Sequence, residues 1–255
     1  MRVREVMTGD LFTVAASEVV GEAARKMIER WVGSAVVDRG TSDPLGIITE
    51  RDILELVGRG GDARAGYVAD HLTPGSIRAA PEWTLERAAE AMIAGGLRHL
   101  IVLDEDRPVG IVSIKDIVGA WTKGRVRRLI GIQIREAMNR DLLNIGRDET
   151  LRHAARQMVE HGAGAAIVES LRPKAAPGII TDRDVLKMVA SGQDPDEERV
   201  GDHLSPSMTF SAPDWSLKQA AEAMTSGGFQ HVVVVDGSGT VGIISMLDIV
   251  RRWLD

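Results

Sequence analysis

Gly46-Ile47-Ile48-Thr49-Glu50-Arg51-Asp52 recurs three times along the chain. The copies are Gly110-Ile111-Val112-Ser113-Ile114-Lys115-Asp116, Gly178-Ile179-Ile180-Thr181-Asp182-Arg183-Asp184 and Gly242-Ile243-Ile244-Ser245-Met246-Leu247-Asp248. Their glycines stand 64, 68 and 64 positions apart, so the copies form pairs and the pair is itself duplicated. A shift of 132 carries the first pair onto the second. The duplication extends outward from the motif. Ala88-Ala89-Glu90-Ala91-Met92 returns unchanged at 220–224, Asp70-His71-Leu72 returns as Asp202-His203-Leu204, and Trp83 and Trp121 return as Trp215 and Trp253. Arg4-Glu5 and Met7 return as Arg135-Glu136 and Met138, because the second half carries one extra residue in the stretch matching Asp38–Gly46, where a turn tolerates insertion.

Each copy reads as strand, helix, strand, strand, helix. In the first, the short strand Phe12-Thr13-Val14 leads to a helix over 19–30 with Val20, Ala23, Ala24, Met27 and Ile28 on one stripe. Two apolar runs follow, Ser34–Val37 and Leu45–Ile48, around a polar turn at Asp38–Asp43. A second helix begins near Arg51, with Ile53, Leu54 and Val57 apolar. The expected fold is α/β (α+β) with four such units, at 1–60, 61–123, 124–190 and 191–255. A unit this small buries little surface alone, so units are expected to pack in pairs through their sheets.

Composition sets bounds on function. Hydrophobic residues make up 44% and charged residues 27% of the 255, as in a soluble globular protein. Cysteine is absent, which excludes disulfides and thiolate metal sites and favours a reducing, cytoplasmic setting. No apolar stretch follows the charges of Met1–Glu5 and none approaches the roughly 20 residues that span a bilayer, so neither signal peptide nor membrane partner is expected. A net charge of -6 argues against nucleic acid as a partner. Lys123, Arg125, Arg127 and Arg128 read as a solvated basic linker. No catalytic triad, carboxylate pair or metal-ligand spacing stands out, so no enzyme activity, metal or bound cofactor is expected. Trp83 and Trp215 precede helices and read as packing residues, as do Met27, Met92, Met158 and Met224 on helical stripes.

The four units resemble CBS domains, named after cystathionine β-synthase, across nearly the whole chain. In that family the Gly-x-x-Thr/Ser-x-x-Asp segment contacts a ribose, and two units form a Bateman module. The resemblance implies two modules, at about 1–123 and 130–255, assembled as a flat disc like the γ subunit of AMP-activated protein kinase.

The motif suits a nucleotide on chemical grounds as well. Glycine lets a group approach the backbone closely. A Thr or Ser at a helix start leaves N–H groups that attract an anion, and an aspartate accepts from the two hydroxyls of a ribose. The ribose-binding candidates are Thr49 and Asp52, Ser113 and Asp116, Thr181 and Asp184, and Ser245 and Asp248. Arg51, Lys115 and Arg183 are placed to reach phosphates, whereas Leu247 is not. Thr-x-x-Asp is equally a capping box, which satisfies the helix's own orphan donors. The two readings are compatible.

Arg98-His99 precedes the strand of unit two, and Gln230-His231 takes that place in unit four. In the kinase subunit the matching positions contact phosphate, which adds Arg98, His99 and His231 to the phosphate-binding candidates. A lone His beside a strand is as readily a structural one. By the same resemblance each cleft joins two units. Ser113, Asp116, Arg98 and His99 would face an adenine held by Met7, Leu11, Phe12, Val32 and Gly33; Ser245, Asp248 and His231 would face one held by Met138, Leu142, Ala163 and Gly164. The Ser113/Asp116 cleft ranks first for its positive charge. The expected activity is non-catalytic sensing of AMP, ADP or ATP, read out by a second copy or a separate regulated protein. Two readings compete with it: another adenosine ligand, such as S-adenosylmethionine or methylthioadenosine, or a structural assembly with vacant clefts.

Overall fold

The computed structural model describes residues 1–38, 40, 46–74, 78–124, 131–169, 176–205 and 208–255. Most of the Asp38–Asp43 turn and its inserted residue, and Arg125, Arg127 and Arg128, lie outside the described residues. The first repeat contains β1 (Thr13–Ala15), α1 (Val20–Glu29), β2 (Ser34–Asp38), β3 (Gly46–Thr49) and α2 (Glu50–Gly58). A short α3 (Val68–His71) and β4 (Thr73–Pro74) lead to the second repeat: β5 (Arg78–Ala79), α4 (Leu85–Gly95), β6 (His99–Asp104), β7 (Arg107–Ser113) and α5 (Ile114–Lys123). The third repeat has β8 (Asn144–Ile145), α6 (Leu151–Glu160), β9 (Ala165–Val168), β10 (Gly178–Thr181) and α7 (Asp182–Ala190). The fourth has β11 (Phe210–Ser211), α8 (Leu217–Gly227), β12 (His231–Asp236), β13 (Gly239–Ser245) and α9 (Met246–Leu254).

The expected strand-helix-strand-strand-helix order therefore holds in all four repeats. In each, the first strand runs parallel to the second, because a helix carries the chain across between them. The second and third strands form an antiparallel hairpin. The helical stripes are buried as the periodicity requires: Val20, Ala23, Ala24 and Met27 in α1, with Met92, Met158 and Met224 at the matching core positions. Trp83 and Trp215 pack, half-buried, against the core of their repeats.

Consecutive repeats exchange the segments that precede their first strands. The N-terminal residues lie on the second repeat, where Val3 N–H donates to Trp83 C=O at 2.9 Å and Thr8 and Ile111 exchange backbone hydrogen bonds of 2.9 and 3.0 Å. In return β4 pairs with β3 of the first repeat. The second half repeats the device: Asn139 pairs with Ile243, and Ser205 N–H donates to Ile179 C=O at 3.0 Å. This exchange explains the motif glycine. A Cβ at Gly110 would stand 2.8 Å from Met7 Sδ and 2.9 Å from Thr8 C=O, and one at Gly242 would stand 2.5 Å from Met138 Sδ. The group that approaches the backbone here belongs to the chain itself.

The chain forms two compact units. One holds Met1–Asp10, Ile77–Leu142 and Ser207–Asp255, and so the second and fourth repeats; the other holds Leu11–Ser76 and Leu143–Pro206, and so the first and third. They are called here the 2/4 unit and the 1/3 unit. Within each, repeats 132 positions apart share one core through their helices: α4, α5, α8 and α9 in the first, and α1, α2, α6 and α7 in the second. Trp121 and Trp253 meet in the 2/4 unit with ring centroids 3.9 Å apart. In the 1/3 unit α2 crosses α6 at Gly58, where a Cβ would stand 2.9 Å from the Ala155 carbonyl.

Candidate functional site

All four motifs fold the same way. The Thr or Ser ends the third strand and caps the following helix, and the aspartate occupies that helix's third position. In each repeat the hydroxyl donates to the aspartate's Oδ2 at 2.6 Å. The backbone N–H of the same Thr or Ser donates to that oxygen as well, at 2.7 to 3.0 Å. The capping box is thus formed in every copy, and what separates the copies is the other contacts of the carboxylate.

In the 1/3 unit both aspartates are enclosed. Thr73, in the exchanged β4, donates to Asp52 Oδ1 at 2.6 Å. Ser205 occupies the corresponding place and donates to Asp184 Oδ2, while Lys187 holds Asp184 Oδ1 at 2.9 Å. Asp184 is buried, and burial raises the Asp52 carboxyl above its ordinary value, against the hydrogen bonds from Thr49 and Thr73 that pull it down. The phosphate-facing arginines are engaged too. Arg51 donates to Ala163 C=O at 2.8 Å and pairs with Glu55, and Arg183 donates to the buried Glu50 carboxylate at 2.7 Å. Gly33 makes room for that carboxylate, since a Cβ there would stand 3.2 Å from its carbon.

The 2/4 unit differs. Asp116 Oδ1 has no hydrogen-bond or ionic partner among the described residues. Among the described residues Asp248 Oδ1 has only Arg251, at 3.5 Å. Thr8 and Asn139, the counterparts of Thr73 and Ser205, are exposed and do not reach these carboxylates. Arg98 and His99 are built directly beside the Ser113 motif: His99 pairs with Ser113 in the β6–β7 ladder, and Ile114 N–H donates to Arg98 C=O at 2.9 Å. Gln230 and His231 take the same places beside Ser245. The Arg98 guanidinium reaches across to Gln230 Oε1 at 3.2 Å. Lys115 is exposed and has no ion pair among the described residues.

The structure therefore gathers Arg98, His99, Lys115, Ser113 and Asp116 with Ser245, Asp248 and His231 in one compact unit. Of the residues assigned to adenine, Met7, Met138 and Leu142 share that unit, whereas Leu11, Phe12, Val32, Gly33, Ala163 and Gly164 belong to the 1/3 unit. Phe12 and Val32 are half-buried against the core of the 1/3 unit, and Gly164 C=O accepts from Asp182 N–H at 3.1 Å. Four residues that shape these sites were not singled out from the sequence: Thr73, Ser205, Glu50 and Trp31. The first three act over 21 to 133 positions and leave no local signal. Trp31 does leave one, since it stands where the other repeats have Gly96, Gly162 and Gly228.

Among the described residues no group of His, Asp and Glu could hold a metal ion, and no helix is long and apolar enough to cross a membrane. The CBS domain model matches residues 3–59, 68–123, 134–191 and 200–255. Protein MJ1225 of Methanocaldococcus jannaschii, itself uncharacterized, is 31% identical over 199 residues, covering 74% of this chain and 70% of that protein. Its crystal structure, described as that of a candidate archaeal homologue of g-AMPK, matches with a TM-score of 0.84 at 20% identity over 98% of this chain and 99% of that one. A conserved protein from Pyrococcus horikoshii matches with a TM-score of 0.67 at 19% identity over 99% and 100% of the two chains. At those identities the two structures speak for the fold. The chain spans half the length of the Arabidopsis thaliana CBS domain-containing protein CBSCBSPB5, at 23% identity over 94% of this chain.

Proposed function

The chain belongs to the CBS domain family, and from that premise we propose that it is a non-catalytic regulatory protein that binds adenine nucleotides. The observation that carries this reading is Asp116, whose Oδ1 is left without a partner on the repeat that also presents Arg98, His99 and Lys115. Asp116 and Ser113 take the ribose hydroxyls. The three basic groups take the phosphate, with the N-terminus of α5 contributing its partial positive charge. Ser245, Asp248 and His231 form a second, weaker site, because Gln230 and Leu247 replace Arg98 and Lys115 there.

In the 1/3 unit the same motif serves the fold. Its carboxylates cap their own helices and tie down the exchanged segments, while its arginines join the first and third repeats, so Asp52 and Asp184 are assigned a capping role and Arg51 and Arg183 a bridging one. Regulation then follows from differential affinity: a nucleotide shifts the protein toward whichever arrangement it binds better, and a second copy or a separate protein reads the change. Thermal denaturation with AMP, ADP, ATP and methylthioadenosine tests the reading. A ligand at a hundred times its Kd stabilises by about 2.7 kcal/mol. The phosphate-bearing compounds are expected to raise the midpoint more than methylthioadenosine, and no shift with any of the four would count against nucleotide binding.

A further inference from the structure

Trp31 closes α1 in a conformation that tryptophan rarely adopts. Its φ is +56°, in the left-handed region. Trp31 N–H donates to Ile28 C=O and Val32 N–H to Met27 C=O, both at 3.1 Å, which is the Schellman arrangement that ends a helix with one left-handed residue. Gly96, Gly162 and Gly228 fill this position in the other repeats, at φ between +62° and +71°. The first repeat therefore carries the bulkiest side chain where its sisters carry none. Packing gives no return for it, because Trp31 is 82% exposed, whereas Trp121 and Trp253 are 6% exposed.

The indole is not isolated. The Arg183 guanidinium lies over it at 5.8 Å from the ring centroid, oriented by its bond to Glu50. Arg30, the residue before it, lies over the Phe12 ring at 4.7 Å. Backbone strain held at an exposed aromatic residue, with a fixed guanidinium beside it, marks a binding element rather than a core element. We propose that Trp31 is a stacking platform for the purine base of a nucleotide, at a site in the 1/3 unit separate from the Asp116 site. One face of the indole has Arg183, whose charge is paired with Glu50; the exposed surface accepts a planar, electron-poor ring, and Arg30 beside it favours a ligand that carries negative charge. A second copy of the chain fits less well. A symmetric contact through Trp31 would bring the adjacent Arg30 toward its own copy, like charge against like.

The inference rests on the reading that adenine nucleotides are the ligands, and the test keeps the two apart. Tryptophan emission and calorimetry are followed during AMP titration of the wild type, Trp31→Gly, Trp31→Phe and Asp116→Ala, with sedimentation as a check on assembly. Glycine suits the backbone at position 31, so Trp31→Gly folds. The expected result is saturable quenching in the wild type and in Asp116→Ala, loss of that quenching in Trp31→Gly together with one binding site, and retention of the site in Trp31→Phe within about threefold. Unchanged stoichiometry and affinity in Trp31→Gly overturn the platform while leaving the Asp116 reading intact. A change of sedimentation in Trp31→Gly without a change in AMP binding overturns it in favour of a second copy. Absence of AMP binding to the wild type overturns both.

Discussion

Arg98 and Gln230, 132 positions apart in the chain, meet in the 2/4 unit, where the guanidinium donates to the carboxamide oxygen at 3.2 Å. They are the same position in two copies of one repeat. The duplication has kept a base in one copy and a neutral acceptor in the other, so two equivalent places now differ in charge. Glutamine accepts from the arginine and carries no charge of its own, so the two places differ by one positive charge beside otherwise equivalent motifs.

Replacing Arg98 by alanine removes a charged donor to phosphate. Such a bond contributes about 1.5–3 kcal/mol, so AMP and ATP are expected to bind at least roughly tenfold more weakly. Methylthioadenosine, which lacks phosphate, is expected to lose less than about twofold. Isothermal titration with the three compounds reads the difference, and equal losses for all three would place Arg98 away from the phosphate.

Trp31→Gly is expected to raise stability. A left-handed conformation costs a non-glycine residue about 1–2 kcal/mol. The exposed cation–π contact with Arg183 that the change removes contributes about 0.5–1 kcal/mol. The conformational gain is the larger, and a net gain of about 1 kcal/mol corresponds to a midpoint higher by roughly 2–4 °C. A lower melting temperature would mean that the indole is held by packing.

Gly58→Ala is expected to destabilise, although alanine is the better helix former by about 1 kcal/mol. The new Cβ meets the Ala155 carbonyl and Arg156 N at 2.9 to 3.0 Å, and these are backbone atoms that cannot turn aside. Overpacking of this kind costs about 1–3 kcal/mol. The expected outcome is a lower urea midpoint with an unchanged slope.

Asp52 gives the 1/3 unit a pH dependence. Burial raises its carboxyl above the ordinary 3.8, so the folded state binds this proton more tightly than the unfolded chain does. The stability it contributes is fully present below 3.8 and is lost as pH rises through the raised folded value. Asp52→Asn keeps an acceptor for Thr49 and removes the buried charge. Its stability relative to the wild type is therefore expected to grow as pH rises from 3.8, when unfolding is followed over that range. A relative stability that falls over the same range would mean that the ionised carboxylate is the favoured form.

Much of this was legible in the sequence because the signals are local. The apolar run through Ile47-Ile48, the stripe through Val20, Ala24 and Met27, and the Thr49–Asp52 spacing each act within one turn or one hairpin, and each produced the element expected. The capping reading of the motif was legible for the same reason. The sharing of a core was not, because α1, α4, α6 and α8 carry the same apolar stripe and nothing in a stripe names its partner. The closure of Asp52 by Thr73 and of Asp184 by Ser205 depends on the exchanged segments, and the Glu50–Arg183 pair joins two repeats; neither leaves a pattern within a single repeat. Trp31 becomes legible only when the four repeats are aligned on β2 and its equivalents, and three glycines stand against it.

Asp116 is the carboxylate on which the proposed nucleotide site depends. Isothermal titration of AMP into protein freed of carried-over nucleotide, comparing the wild type with Asp116→Ala, tests this most directly. The expected result is saturable binding to the wild type and a loss of at least roughly tenfold in affinity at one site in the variant, since charge-assisted bonds to a ribose are removed. Binding to Asp116→Ala that matches the wild type in affinity and stoichiometry would contradict it.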